Sequence, residues 1–165
     1  KEKFGKIRNL NIAIVGDILH SRVALSNIYG LKTMGANVMI CGPKHLIPKD
    51  LQYLGLEITD NIDDVLHWAD AINVLRIQRE RMGIGIIPSV REYRNMFGIT
   101  EERLLMSNRE ITILHPGPIN RGVEIDSSVA DGEQAVILDQ VLNGVAMRMS
   151  ILYLLLGQGE GVKND

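Results

Sequence analysis

The stretch NIAIVGDILHSRVALSNIYGLKTMGANVMIC, residues 11 to 41, decides the fold. Its first five residues form a β-branched run closed by Gly16 and Asp17, which is how a buried strand reads where it runs into a polar turn. From Ser21 the period changes. Val23, Leu25, Ile28, Leu31 and Met34 recur at helical spacing until Gly35 stops them, and NVMIC follows as a second strand broken by Gly42 and Pro43. A short strand, an amphipathic helix and another short strand imply a right-handed crossover and a parallel pair.

Outward from this unit the alternation continues. A weaker helix is expected near Lys49 to Leu54, then a short strand in LEIT. DNIDDVLHWAD offers Asp60 or Asn61 as a cap, turns Val65, Leu66 and Trp68 inward, and leads into the strand AINVLR. ERMGIGIIPSVREY, with two glycines and a proline, reads as a mobile loop entering a helix near Arg91 to Phe97. A helical turn around Thr100 to Leu105 precedes the last strand, ITILH. The expected fold is a doubly wound, Rossmann-like α/β domain. Its five-stranded parallel sheet, order 3-2-1-4-5, carries helices on both faces, with the topological switch point between strands 1 and 4. After the fifth strand, GEQAVILDQVLNG reads as a helix capped by Asn143 and Gly144. VAMRMSILYLLLG reads as a second helix, apolar on nearly every face.

The totals narrow the function. Of 165 residues 45% are apolar and 4% aromatic, which fits one ordinary domain with an aliphatic core. Twenty acidic residues against 18 basic leave a net charge of −2, so no field argues for nucleic acid or an anionic membrane, and a small-molecule partner is expected. No stretch reaches the ~18 apolar residues of a membrane span. The single cysteine, Cys41, suits a reducing, cytoplasmic setting. Because the chain starts at Lys1 in a polar stretch without an initiating Met, it is expected to be part of a longer protein.

Parallel topology brings three segments to one sheet edge: GDILHSR after strand 1, RIQRER after strand 4 and HPGPINR after strand 5. Arginine presents a planar fork that matches a carboxylate or phosphate, and Arg22 with Arg76 suggests a ligand carrying two anionic groups. A cation at a helix start, as at Arg22, opposes the macrodipole and wants an anion nearby. Gln78 and Glu80 share the side of Arg76 if extended alternation continues, and Glu80 could then hold the guanidinium. Pro116 and Pro118 remove two backbone donors and leave carbonyls to face a ligand that donates hydrogen bonds, with a cis bond open at Gly117 to Pro118. Plainer readings stand beside these: a solvated Arg22, a charged surface loop at RIQRER, a turn that only ends a strand at HPGP.

Other chemistries lack support. Neither G-x-G-x-x-G nor G-x-x-x-x-G-K-[ST] occurs, so no dinucleotide or phosphate loop is expected. His20, His45, His67 and His115 lie far apart in sequence, without Cys or carboxylate at ligand spacing, so neither a metal nor another cofactor is expected. His67 reads as helix surface, His115 as a hydrogen-bonded structural residue, and Cys41 as a small core residue.

Together VGDILHSRVA, LRIQRER, HPGPINRGVEI and QVLNGVAMRM resemble the aspartate-binding half of the aspartate carbamoyltransferase family, over Asn11 to Leu156 and in the same order. Ornithine-specific relatives carry Ser-Met-Gly where this chain has LRIQRER and His-Cys-Leu-Pro where it has HPGP, so the resemblance favours aspartate. It implies transfer of a carbamoyl group from carbamoyl phosphate to the amine of L-aspartate, within de novo pyrimidine biosynthesis. It further implies that Arg22 holds the α-carboxylate, that Arg76 and Gln78 hold the β-carboxylate, and that Glu80 orients Arg76. Backbone around Pro116, Gly117 and Pro118 would meet the carbamoyl group. Val23 stands where some family members have Thr.

By the same resemblance, residues 1–10 are the remnant of an interdomain linker, 11–157 the aspartate-binding domain and 158–165 a flexible tail. The Ser-Thr-Arg-Thr loop, mobile lysine and His-Pro-[Ser/Thr]-Gln segment of the family's N-terminal carbamoyl phosphate domain do not occur here. The implied assembly is a homotrimer of full-length chains, with this half inactive alone. The alternatives are a catalytically silent binding or scaffold domain, and a carbamoyltransferase for another amine such as ornithine.

Overall fold

The computed structural model describes residues 3–78 and 89–156. Five parallel strands form the sheet: β1 (Asn11–Val15), β2 (Asn37–Cys41), β3 (Glu57–Thr59), β4 (Ala71–Val74) and β5 (Thr112–Leu114). Their order is β3-β2-β1-β4-β5, as the alternation predicts. The centre is β1, with Ile14 opposite Ile40 on one side and Asn73 on the other.

Successive strand residues feed opposite faces, so each central strand serves two cores. Ala13, Val15, Met39 and Cys41 point to one face, where α2 (Ile62–Trp68) contributes Ile62, Val65 and Leu66, and α3 (Val90–Phe97) contributes Tyr93 and Phe97. Ile14, Val38 and Ile40 point to the other, under Ala24 and Ile28 of α1 (Arg22–Thr33). The expected stripe on α1 is corrected here. Ala24 and Ile28 are buried and Leu31 packs beside them, while Val23, Leu25 and Met34 face outward. The i, i+4, i+7 series through Ala24 is the one aimed at the sheet.

Local signals start the helices where expected. Ser21 caps α1 by accepting the Ala24 N–H at 3.1 Å, and Asn61 caps α2 by accepting the Asp63 N–H at 3.1 Å. Thr100 does the same for α4 (Glu101–Ser107) through the Arg103 N–H. Lys49–Leu54 winds as a 3-10 helix. At the end of β1, Gly16 takes φ +126°, and a Cβ there would stand 2.7 Å from the Leu75 carbonyl oxygen. The backbones of β1 and β4 can close together only because that position is glycine.

The sharpest departure concerns the C-terminal part. Beyond the short α5 (Ser127–Ala130), one helix, α6 (Ile137–Leu156), runs unbroken through Asn143 and Gly144 where a C-cap was expected. Propagating an existing helix costs far less than nucleating a second one, so one poor pair does not stop it. The Arg148 side chain also returns to the Gly144 carbonyl, with Nε donating at 3.1 Å. Glu80 and the glycine-rich stretch at 82–88 lie outside the described residues.

Candidate functional site

Three loops leave the C-terminal ends of β1, β4 and β5 and meet at the switch point. Between them lies an open pocket of about 250 Å³ walled by Ser21, Val23, Arg76 and Gln78 and by the Pro116–Gly117–Pro118 corner. Of the residues singled out from sequence, Arg76, Gln78, Pro116, Gly117 and Pro118 therefore gather at one place. Arg22 occupies the first turn of α1 between two wall residues, but its own side chain is exposed and is not part of the wall.

Hydrogen bonds tie the loops across the gap. Gln78 Nε2–H donates to the His20 carbonyl at 3.1 Å, joining the end of β4 to the loop after β1. Asn120 Nδ2–H donates to the Ile77 carbonyl at 3.2 Å, joining the loop after β5 to the same strand end. The loop after β1 is held from below by Asp17. Its carboxylate is wholly buried, accepts the His20 N–H at 3.1 Å and faces His20 Nδ1 at 3.0 Å.

The corner has its own support. The Gly117–Pro118 peptide bond is cis and Gly117 has φ +68°. The Gly117 N–H donates to His115 Nδ1 at 2.8 Å, and the His115 N–H donates to Gln140 Oε1 of α6 at 2.9 Å. His115 is fully buried, as a structural histidine should be, and its Nε2 lies 3.4 Å from Oε1 of the equally buried Glu124. Beneath the site, the Tyr93 hydroxyl is driven well above its usual pKa by burial first and the Glu124 carboxylate second. Cys41 is buried at the end of β2, and desolvation, with lesser help from Asp60 and Asp64, pushes its thiol up to about 12.

Sequence reasoning missed Asp17, Asn120 and Glu124. Asn120 is half-buried and spans two loops. The one available signal was a carboxylate inside the apolar run VEI, a place where an unpaired charge would be costly. Among the described residues no cluster of three or more His, Cys, Asp or Glu could hold a metal ion, and no helix is long and apolar enough to cross a membrane.

A family model for the Asp/Orn binding domain of aspartate/ornithine carbamoyltransferases matches residues 8–155. The aspartate carbamoyltransferase catalytic subunit of Gemmatimonas aurantiaca is 55% identical over 157 residues, covering 95% of this chain and 49% of that protein. That of Christiangramia forsetii is 56% identical over 155 residues, covering 94% and 50%. The chain thus spans about half the length of the curated relatives it matches. Among solved structures, the catalytic subunit of M. jannaschii aspartate transcarbamoylase superposes with a TM-score of 0.73 at 31% identity, over 96% of this chain and 54% of that one. An ornithine carbamoyltransferase from Pyrococcus furiosus shares the fold at a TM-score of 0.78 and 23% identity, over 98% of this chain and 53% of that one.

Proposed function

The chain belongs to the aspartate/ornithine carbamoyltransferase family, and from that footing we propose that it is the aspartate-binding half of an aspartate carbamoyltransferase acting in de novo pyrimidine biosynthesis. The observation that carries this reading is the single pocket joining Arg76 and Gln78 to the 116–118 corner at the switch point. Arg76 offers a fork to the β-carboxylate of L-aspartate, and Gln78 adds a donor once its amide leaves the His20 carbonyl. Arg22, exposed beside the pocket, takes the α-carboxylate. Carbonyls of the corner accept hydrogen bonds from the carbamoyl amide. The aspartate nitrogen then forms its C–N bond to the carbamoyl carbon, the C–O bond to phosphate breaks, and phosphate leaves with that electron pair and takes up the proton that the amine gives up. Catalysis of this kind depends on alignment and fixed charge and needs no covalent intermediate.

In this reading, residues 11–157 are the aspartate domain, preceded by linker at 1–10 and followed by a tail at 158–165. An N-terminal carbamoyl phosphate domain supplies the groups that grip phosphate and covers α6, and Glu80 orients Arg76. Full-length chains assemble as a homotrimer in the cytoplasm. Assays of the full-length enzyme with aspartate and with ornithine test the assignment. N-carbamoyl-L-aspartate should form from aspartate, and the 165-residue chain alone should form none. A preference for ornithine would overturn the acceptor, and silence with every amine would favour the scaffold alternative.

A further inference from the structure

We propose that the buried pair His115 and Glu124 is a positioning unit, which sets the carbonyls of the 116–118 corner at a fixed place relative to Arg76 and Gln78. The proposal rests on the carbamoyltransferase reading and assigns two residues that touch neither substrate.

Both residues are fully buried. Because the Gly117 N–H donates to His115 Nδ1 at 2.8 Å, Nδ1 is an acceptor and the ring proton sits on Nε2. Nε2 lies 3.4 Å from Glu124 Oε1 without a hydrogen bond between them, a close polar contact inside the core, and the same oxygen accepts the Asn120 N–H at 2.6 Å. Asn120 Nδ2–H then reaches the Ile77 carbonyl at 3.2 Å. Ile77 lies between Arg76 and Gln78. Three hydrogen bonds and one packed polar contact, between His115 and Glu124, therefore lead from the corner's central glycine to the strand end that carries the proposed aspartate ligands.

Stability alone is a weak reason for this arrangement. A buried ionisable pair loses hydration on both partners, and well-packed apolar residues in the same volume often serve a core as well or better. A turn can also end a strand without help from another strand. What the pair adds is a cross-link: the corner is tied to β4, the opposite wall of the pocket, and not only to β5. In a reaction whose rate depends on alignment, a small drift between those walls costs turnover before it costs binding.

The test is steady-state kinetics on the full-length enzyme, per folded chain as counted by circular dichroism and gel filtration. His115→Leu removes both contacts. His115→Asn can keep the Gly117 contact, because an Asn oxygen accepts from the N–H two residues on. Glu124→Leu removes the acceptor of the Asn120 N–H and the polar contact with the ring. The expected result is a kcat lowered about 10- to 100-fold in His115→Leu, with the aspartate KM within about threefold of the parent. His115→Asn should recover part of that loss, and Glu124→Leu should lower kcat about 10- to 100-fold with the aspartate KM within about threefold of the parent. The proposal is overturned if His115→Leu or Glu124→Leu keeps its kcat, if either acts only through KM, or if His115→Asn recovers nothing. Parent assays with aspartate and ornithine, run alongside, test the substrate reading separately. The same variants would be read with ornithine if that proved the better acceptor.

Discussion

Arg76, a half-buried residue just beyond the end of β4, lines the pocket, and its planar fork is what a carboxylate needs. Replacing it with Lys keeps the charge but loses the paired donors. Arg76→Lys in the full-length enzyme should lower kcat/KM for aspartate about 10- to 100-fold, chiefly through KM, in steady-state assays. Cys41 makes the opposite prediction, of inertness. Its thiol is buried and its pKa stands near 12 against an ordinary value of 9.0, so the reactive thiolate is scarce at neutral pH. A maleimide should label it only after unfolding, and rapid labelling of native protein would contradict the burial. The sign of the linkage follows: between about pH 9 and 12 the unfolded chain gives up this proton while the folded chain keeps it. Stability that is full below pH 9 should fall through that window, by at most about 1.4 kcal/mol per pH unit, and Cys41→Ala should remove that share of the slope. At this scale Arg76, Gln78 and the 116–118 corner were legible because parallel topology dictates which loops share an edge. Asp17, Asn120 and Glu124 were not, since nothing local says that a polar side chain will turn inward.

Strands and helix starts were legible for an equally physical reason. A β-branched run between glycines has few alternatives, and Ser21, Asn61 and Thr100 each satisfy a helix N–H that has no partner within the helix. The unbroken α6 was not, because the dipeptide Asn143–Gly144 suits both a cap and a tolerated flaw, and only the packing of the whole helix decides. One substitution separates the two states. In a helix interior, Gly144→Ala should raise stability by about 0.5 to 1 kcal/mol, since a new Cβ would have the Arg148 Nη2 at 3.8 Å as its nearest neighbour beyond the helix's own backbone. At a left-handed cap the same change would destabilise. Urea denaturation of the full-length enzyme reads the sign directly, and a loss of stability would restore the two-helix reading.

On the scale of the whole molecule, α6 is out of balance with the rest. Leu138, Leu142, Val145, Met149, Leu152 and Leu156 fall at steps of three and four along one stripe, and all are between 45% and 85% exposed. Fully burying one such side chain is worth about 1.5 to 3 kcal/mol, so a stripe of this length left in water opposes a stable monomer. The chain covers about half of each curated relative, and the proposed second domain is the natural cover. The prediction is a reversal of sign. In the 165-residue chain alone, Leu142→Lys with Leu152→Lys should reduce binding of an apolar-sensitive dye and reduce self-association, followed by fluorescence and light scattering. In the full-length enzyme the same pair should lower the melting temperature, because two lysines would then sit in a buried seam between domains. If the double variant is neutral in the full-length enzyme, the stripe is not that seam, and α6 must find its cover elsewhere.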